Sequence, residues 1–161
     1  MYNFRGLIFE FSFLLIFLVV AILFIRTLQN TLLSISPENR QIKPPAVWRI
    51  LIPIYNFYFV FVLVDGISDS IQAHLESAGE EVNSRPAHEI GRVWAVLFFV
   101  FYLLRIFELN PLDELALVAT LVCFIIYWKS VSNYKKKIEQ SPELFLDAEK
   151  EQMLSGDNPA T

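Results

Sequence analysis

Several residues carry charge or polarity inside, or at the edges of, apolar sequence: Glu10, Arg49, Pro53, Asn56, Asp65, Asp69, Arg92, Arg105 and Lys129. Their chemistry is ion pairing and hydrogen bonding in a place with little water. Pro53 belongs with them because it has no N–H, so the carbonyl of Arg49 loses its helical partner and in lipid needs another donor. Asn56, one turn later, offers an amide to that break or to a neighbouring helix. Charges in such surroundings are costly unless matched, which predicts two belts of mutual partners. In the inner belt Glu10 pairs with Arg92 or Lys129, level with Asp65. In the outer belt Arg49 and Arg105 face Glu108, Asp113 and Glu114.

Bond-making chemistry has no visible carrier. The chain contains no His-Glu-x-x-His, no Gly-x-Ser-x-Gly and no glycine-rich phosphate loop. His74, His88 and Cys123 share no metal-ligand spacing, and the histidines read as solvated or headgroup-facing. Cys123, the single cysteine, excludes an internal disulfide and reads as a small buried side chain. The middle of the apolar segments, near Leu15, Asn56, Phe99 and Leu121, lacks ionisable groups, which argues against ion-coupled transport. No catalytic, cofactor or metal site is expected, and the chain does not read as an enzyme.

The elements that hold these residues are apolar to an extent unusual for a soluble domain: 55% of 161 residues are hydrophobic and 15 are Phe, in a length that suits one compact unit. A first span covers about 4–25. Gly6–Ile25 is long enough to cross, and Ile25-Arg26-Thr27-Leu28 offers no small-x-small cleavage site, so the helix reads as retained. Leu28, Leu32 and Ile35 continue the helical spacing along the headgroups. Ser36-Pro37-Glu38 looks like a fresh helix start, and Pro44-Pro45 end any helix.

A second span covers about 46–64, with Pro53 as a tolerated kink. Ile67, Ile71, Leu75 and Ala78 then form the stripe of an amphipathic extension that Gly79 caps. A third span covers 93–109. A fourth, 112–128, is opened by Asn110-Pro111 and the acids Asp113 and Glu114. Beyond Lys129, the stripe Val131, Tyr134, Ile138 with Lys135, Lys136 and Lys137 reads as a helix riding on anionic headgroups. Residues 141–161 form an acidic tail with a short helix, outside a 1–140 membrane domain.

The fold class is therefore all-α: a polytopic membrane protein of four transmembrane helices with amphipathic juxtamembrane extensions. Four crossings put both termini and the 80–91 link on one face. That face holds Arg5, Arg85, Arg92, Lys129, Lys135, Lys136, Lys137 and Lys150, against Arg26, Arg40, Lys43, Arg49 and Arg105 on the other. The excess of basic residues makes the first face cytoplasmic.

The runs Ile35-Ser-Pro-Glu-Asn-Arg, Pro44 to Trp48, Leu51-Ile-Pro-Ile-Tyr-Asn, Asp69-Ser-Ile, Ile125-Ile-Tyr-Trp-Lys and Tyr134-Lys-Lys resemble a family of small bacterial four-helix integral membrane proteins. Pro45 stands where that family's pattern has Gly, and Tyr55 where it has Phe. Its Trp-Gln after the Asn is replaced here around Tyr58-Phe59. The resemblance implies the topology and a bacterial inner membrane, and no activity.

Two functions fit this reading. One is a scaffold or accessory subunit of a membrane assembly, whose partners are the bilayer, anionic headgroups, a membrane protein or a second copy. The other is a small oligomeric channel or transporter-like protein, lined by Tyr55, Asn56, Tyr58 and Thr120. The tri-lysine run is too narrow for nucleic acid.

Overall fold

Proline decides where this chain stops being α-helical. In the computed structural model, which describes the backbone of residues 4–80, 82 and 84–140 and side chains at 11, 12 and from 15 onward, α1 runs Phe4–Leu33. A single 3-10 turn, Pro37–Asn39, follows, and then a 3-10 helix over Pro44–Leu51. α2 is Tyr55–Ser77, α3 His88–Ile106 and α4 Leu112–Gln140. The described residues are thus all-helical. Two helices are long and apolar enough to cross a membrane, by length and composition: Leu15–Leu33 of α1 and α4.

The second apolar segment is not one kinked helix. Eight residues is long for a 3-10 helix, and this one is bracketed by Pro44-Pro45 and Pro53. The Ile52 N–H closes on the Arg49 carbonyl at 3.0 Å, so the carbonyl orphaned by Pro53 is satisfied locally. Ile54 then takes φ +66°, a left-handed conformation that costs a β-branched residue about 1–3 kcal/mol, and α2 starts afresh at Tyr55.

The core gathers around α2. Phe59, Val60, Leu63, Val64, Ile67, Ile71 and Leu75 are all buried against Phe24, Ile25, Leu28 and Leu32 of α1, Val47 of the 3-10 helix, Trp94 and Ala95 of α3, and Tyr127 and Val131 of α4. The expected stripe Ile67, Ile71, Leu75 and Ala78 is buried. Gly79, at φ +78°, ends α2 as expected, with the Glu80 N–H on the Leu75 carbonyl and the Gly79 N–H on the Glu76 carbonyl.

Three expectations are corrected here. Leu28, Leu32 and Ile35 face this core, not headgroups. α4 continues without interruption to Gln140, and Val131 and Ile138 are buried in the bundle, because α1 and α2 extend far enough to cover them. The chain connections also do not alternate between ends. The Ser36 N–H meets His74 Nδ1 at 3.4 Å, Asn39 Nδ2 meets Ser77 Oγ at 2.8 Å, and the Gln41 N–H meets Ser70 Oγ at 2.8 Å. Ser34 Oγ meets Glu139 at 3.3 Å, and Lys137 pairs with Glu80. The 34–43 connection, the α2–α3 link and the C-terminal end of α4 therefore share one end of the bundle. α1, α2 and α4 run in the same direction and α3 runs against them. The acidic tail lies outside the described residues.

Candidate functional site

The polar centre of the molecule is an ionic latch between α2 and the start of α3. Asp65 and Asp69 lie one turn apart on α2, so both carboxylates leave the same side of the helix. Arg92, one turn into α3, grips Asp65 as a fork: Nε donates to Oδ1 at 2.9 Å and Nη2 to Oδ2 at 2.6 Å. Asp65 raises the Arg92 pKa further through this hydrogen bond and its charge. Arg85, in the link, lies 2.8 Å from Asp69 Oδ1 and donates to Oδ2 at 2.9 Å.

His88 sits between the two pairs, its side chain largely covered. Nε2 lies 3.1 Å from Asp65 Oδ1 and 3.0 Å from Arg85 Nη1. A neutral ring can donate to the aspartate or accept from the arginine with that nitrogen, not both. Nδ1 lies 3.3 Å from Glu89. Beneath the latch, Ser68 Oγ donates to the Pro86 carbonyl and ties the link to α2. Both ring nitrogens of His88 face charged groups. The chemistry this arrangement offers is mechanical: it holds two helices in register.

The latch rests on an aromatic floor. Phe24 packs edge-on against Trp94, Phe124, Tyr127 and Trp128, and Trp94 stacks on Tyr127 at 5.5 Å. A Cβ on Gly91 would come within 2.6 Å of Val64 Cγ1 and 2.7 Å of Tyr127 Cε2. Only glycine lets α2, α3 and α4 meet there. Trp48 Nε1 donates to Gln29 at 2.8 Å and Trp128 Nε1 to Thr27 at 3.1 Å, which fastens both indoles to α1.

The expected site residues separate as follows. Asp65, Asp69 and Arg92 come together. Arg105 pairs with the buried Asp113 at 3.2 Å at the other end of the bundle. Arg49 is exposed, and the partner of Asp113 is Arg105; among the described residues Arg49 makes no ion pair. Lys129 is exposed and likewise makes no ion pair there. The side chain of Glu10 lies outside the described residues. Pro53 breaks the helix outright. Asn56 is half-buried with Oδ1 enclosed and unbonded, so it does not serve the break. Thr120 bonds the Ala116 carbonyl of its own helix, and Tyr58 is exposed.

Sequence reasoning misread His88 and His74 and passed over Gly91. His74 is 3% exposed within the core end of α2, and His88 is enclosed, so neither is a solvated side chain. The available signal was the helical spacing that sets His88 and Arg92 four residues apart on one face, opposite Asp65 and Asp69. Lys135 and Lys137 are also engaged within the bundle, with Glu139 and Glu80, which leaves Lys136 exposed and outside these pairs. Among the described residues, no group of three or more His, Cys, Asp or Glu is placed to hold a metal ion.

Comparison with known proteins finds no matching family, no matching curated protein and no similar solved structure.

Proposed function

We propose that this chain is a multi-pass integral protein of a bacterial inner membrane that acts as a scaffold or accessory subunit of a membrane assembly. The observation that carries the reading is the first half of α1. Phe11, Leu15, Ile16, Phe17, Leu18 and Val19 are all exposed, at 45–69% of their full surface, while farther along the same helix Phe24, Ile25, Leu28 and Leu32 are buried in the core. A long apolar helix with its described residues from Phe11 to Val19 uncovered suits lipid together with a partner helix.

The outer faces of α3 and α4 support the same reading, with Val93, Val96, Leu115, Val118, Leu121, Val122, Ile125 and Ile126 exposed. Charge sits at the ends of these faces. Arg40, Lys43, Arg85, Arg92, Lys129, Lys135, Lys136 and Lys137 belong to the end where the connections gather, which orients that end to the cytoplasm. Asp113 to Lys129 on α4 is 16 residues, about 24 Å, a span for a thin bilayer with Lys129 and Arg105 reaching outward. The likeness to small bacterial four-helix membrane proteins fits this picture. The latch ties α2 to α3, in keeping with a structural role.

A second reading, an oligomeric channel, draws on the unbonded Asn56 Oδ1 near the exposed Tyr55 and Tyr58. Native mass measurement in mild detergent separates the two. A stoichiometric hetero-complex supports the accessory subunit. A closed homo-oligomer with no other component contradicts it and favours the channel.

A further inference from the structure

We infer that residues 42–64 enter the bilayer as a re-entrant hairpin, so that the chain crosses an odd number of times and the Phe4 end of α1 lies on the face opposite the basic end. The inference rests on the membrane reading above and adds the path of the chain within it.

Direction is fixed by contacts already described. α1 ends beside the C-terminal ends of α2 and α4, as Ser36–His74 and Ser34–Glu139 require. The next helix, α2, ends at that same level. The chain must therefore travel away from this end and back between Leu33 and Ser77. The outward leg is 36–51. Gln41 meets Ser70, and Ile42 packs so closely on Gly66 that a Cβ there would lie 2.3 Å from its side chain. The leg thus starts beside the upper part of α2 and runs antiparallel to it.

Depth follows from helix geometry. Tyr55 is ten residues below Asp65 on α2, about 15 Å, which is half of the roughly 30 Å hydrocarbon core. Phe57 packs against Phe98, Phe99 and Tyr102, within α3 and short of its far end at Ile106. With Asp65 and Arg92 at the headgroup level, the turn at Ile52–Ile54 sits near mid-depth. α1 is different: 22 residues separate Phe4 from Arg26, about 33 Å, a full crossing.

The turn is built for lipid. Ile52, Ile54, Tyr55 and Tyr58 are exposed, Ile54 at 84%. Pro53 has no N–H. The N–H groups of Ile52, Tyr55, Asn56 and Phe57 bond the carbonyls of Arg49, Pro53, Ile52 and Ile54. In hydrocarbon each unmet group costs several kcal/mol, and these bonds spare four N–H groups that cost. Arg49, exposed on the outward leg, has a stem long enough to carry its charge toward the headgroups.

The test is cysteine accessibility in the full chain with Cys123→Ser, using a membrane-impermeant maleimide on spheroplasts. Single cysteines replace Asn3, Lys43, Ile54, Leu121 and Asn158. The inference expects Asn3→Cys to label from outside, Lys43→Cys and Asn158→Cys to label only after permeabilisation, and Ile54→Cys to label only in detergent. Outside labelling of Lys43→Cys with Asn3→Cys protected would restore four full crossings and overturn the hairpin. Labelling of Ile54→Cys from either aqueous side would also overturn it. If Leu121→Cys on α4 labels without detergent as well, the membrane reading itself fails, which is a different result from failure of the hairpin alone.

Discussion

Asp65 and Arg92 face each other across α2 and α3 as a two-point fork, at 2.9 and 2.6 Å. It joins the two helices directly below their connecting link, where an ion pair does most to fix register. The carboxylate is 30% exposed and the guanidinium 45%, so water and salt screen the pair. A double-mutant cycle with Asp65→Asn and Arg92→Gln should give a coupling of about 1 kcal/mol, shrinking as salt rises. Zero coupling at low salt in thermal melts of the solubilised protein would remove the latch from the account.

Gly91 and Tyr127 yield two predictions of opposite sign. Gly91→Ala drives a methyl into Val64 and the Tyr127 ring, so it should destabilise by about 1–3 kcal/mol despite the better helix former. Tyr127→Phe keeps the ring stack on Trp94 and removes a hydroxyl that is buried without a partner. It should raise the melting temperature, by the equivalent of about 1 kcal/mol. A drop on Tyr127→Phe would mean that the hydroxyl is satisfied in the native protein.

His74 predicts a pH dependence. Burial near the C-terminal end of α2 lowers its pKa, partly offset by the charge of Glu38. The unfolded chain then binds the proton more readily than the folded one just below the ordinary histidine value of 6.5. Stability from this group is complete above that pH and is lost as pH falls toward the lowered folded value. In His74→Asn the slope of stability against pH just below about 6.5 should flatten. An unchanged slope would assign acid sensitivity to another group.

Much of this was legible in the sequence. All-α structure, the capped stripe Ile67, Ile71, Leu75, Ala78 and Gly79, and the nearness of Asp65 to Arg92 follow from helical spacing and the cost of unpaired charge. The path of the chain was not. Pro53 read as a tolerated kink, and only the packing of Val47 and Ile42 on neighbours decides for the break. That choice folds 42–51 back along α2 and sets α1 parallel to α2, where alternating crossings would have made them antiparallel. It also changes the expectation for Asn56: with Oδ1 unbonded, Asn56→Leu should be neutral or stabilising, not damaging. Gly91 was silent because a close approach of three helices leaves no mark in one sequence.

The basic end makes a further distinction. Lys135 and Lys137 have acidic partners within the bundle, while Lys136 stands exposed. Lys136→Ala should weaken thermal stabilisation by anionic lipid by about 1 kcal/mol, with little effect in neutral lipid. Lys137→Ala should cost stability in both, because it also releases Glu80.

The central claim is that the exposed apolar faces meet hydrocarbon. Spin labels at Leu117, Leu121 and Ile125 on α4, in the reconstituted protein, test it through collision with oxygen and with a water-soluble nickel chelate. The account predicts oxygen access exceeding chelate access at all three, with the ratio greatest near Leu121 and falling toward Lys129. Chelate access equal to or above oxygen access along this face would contradict it.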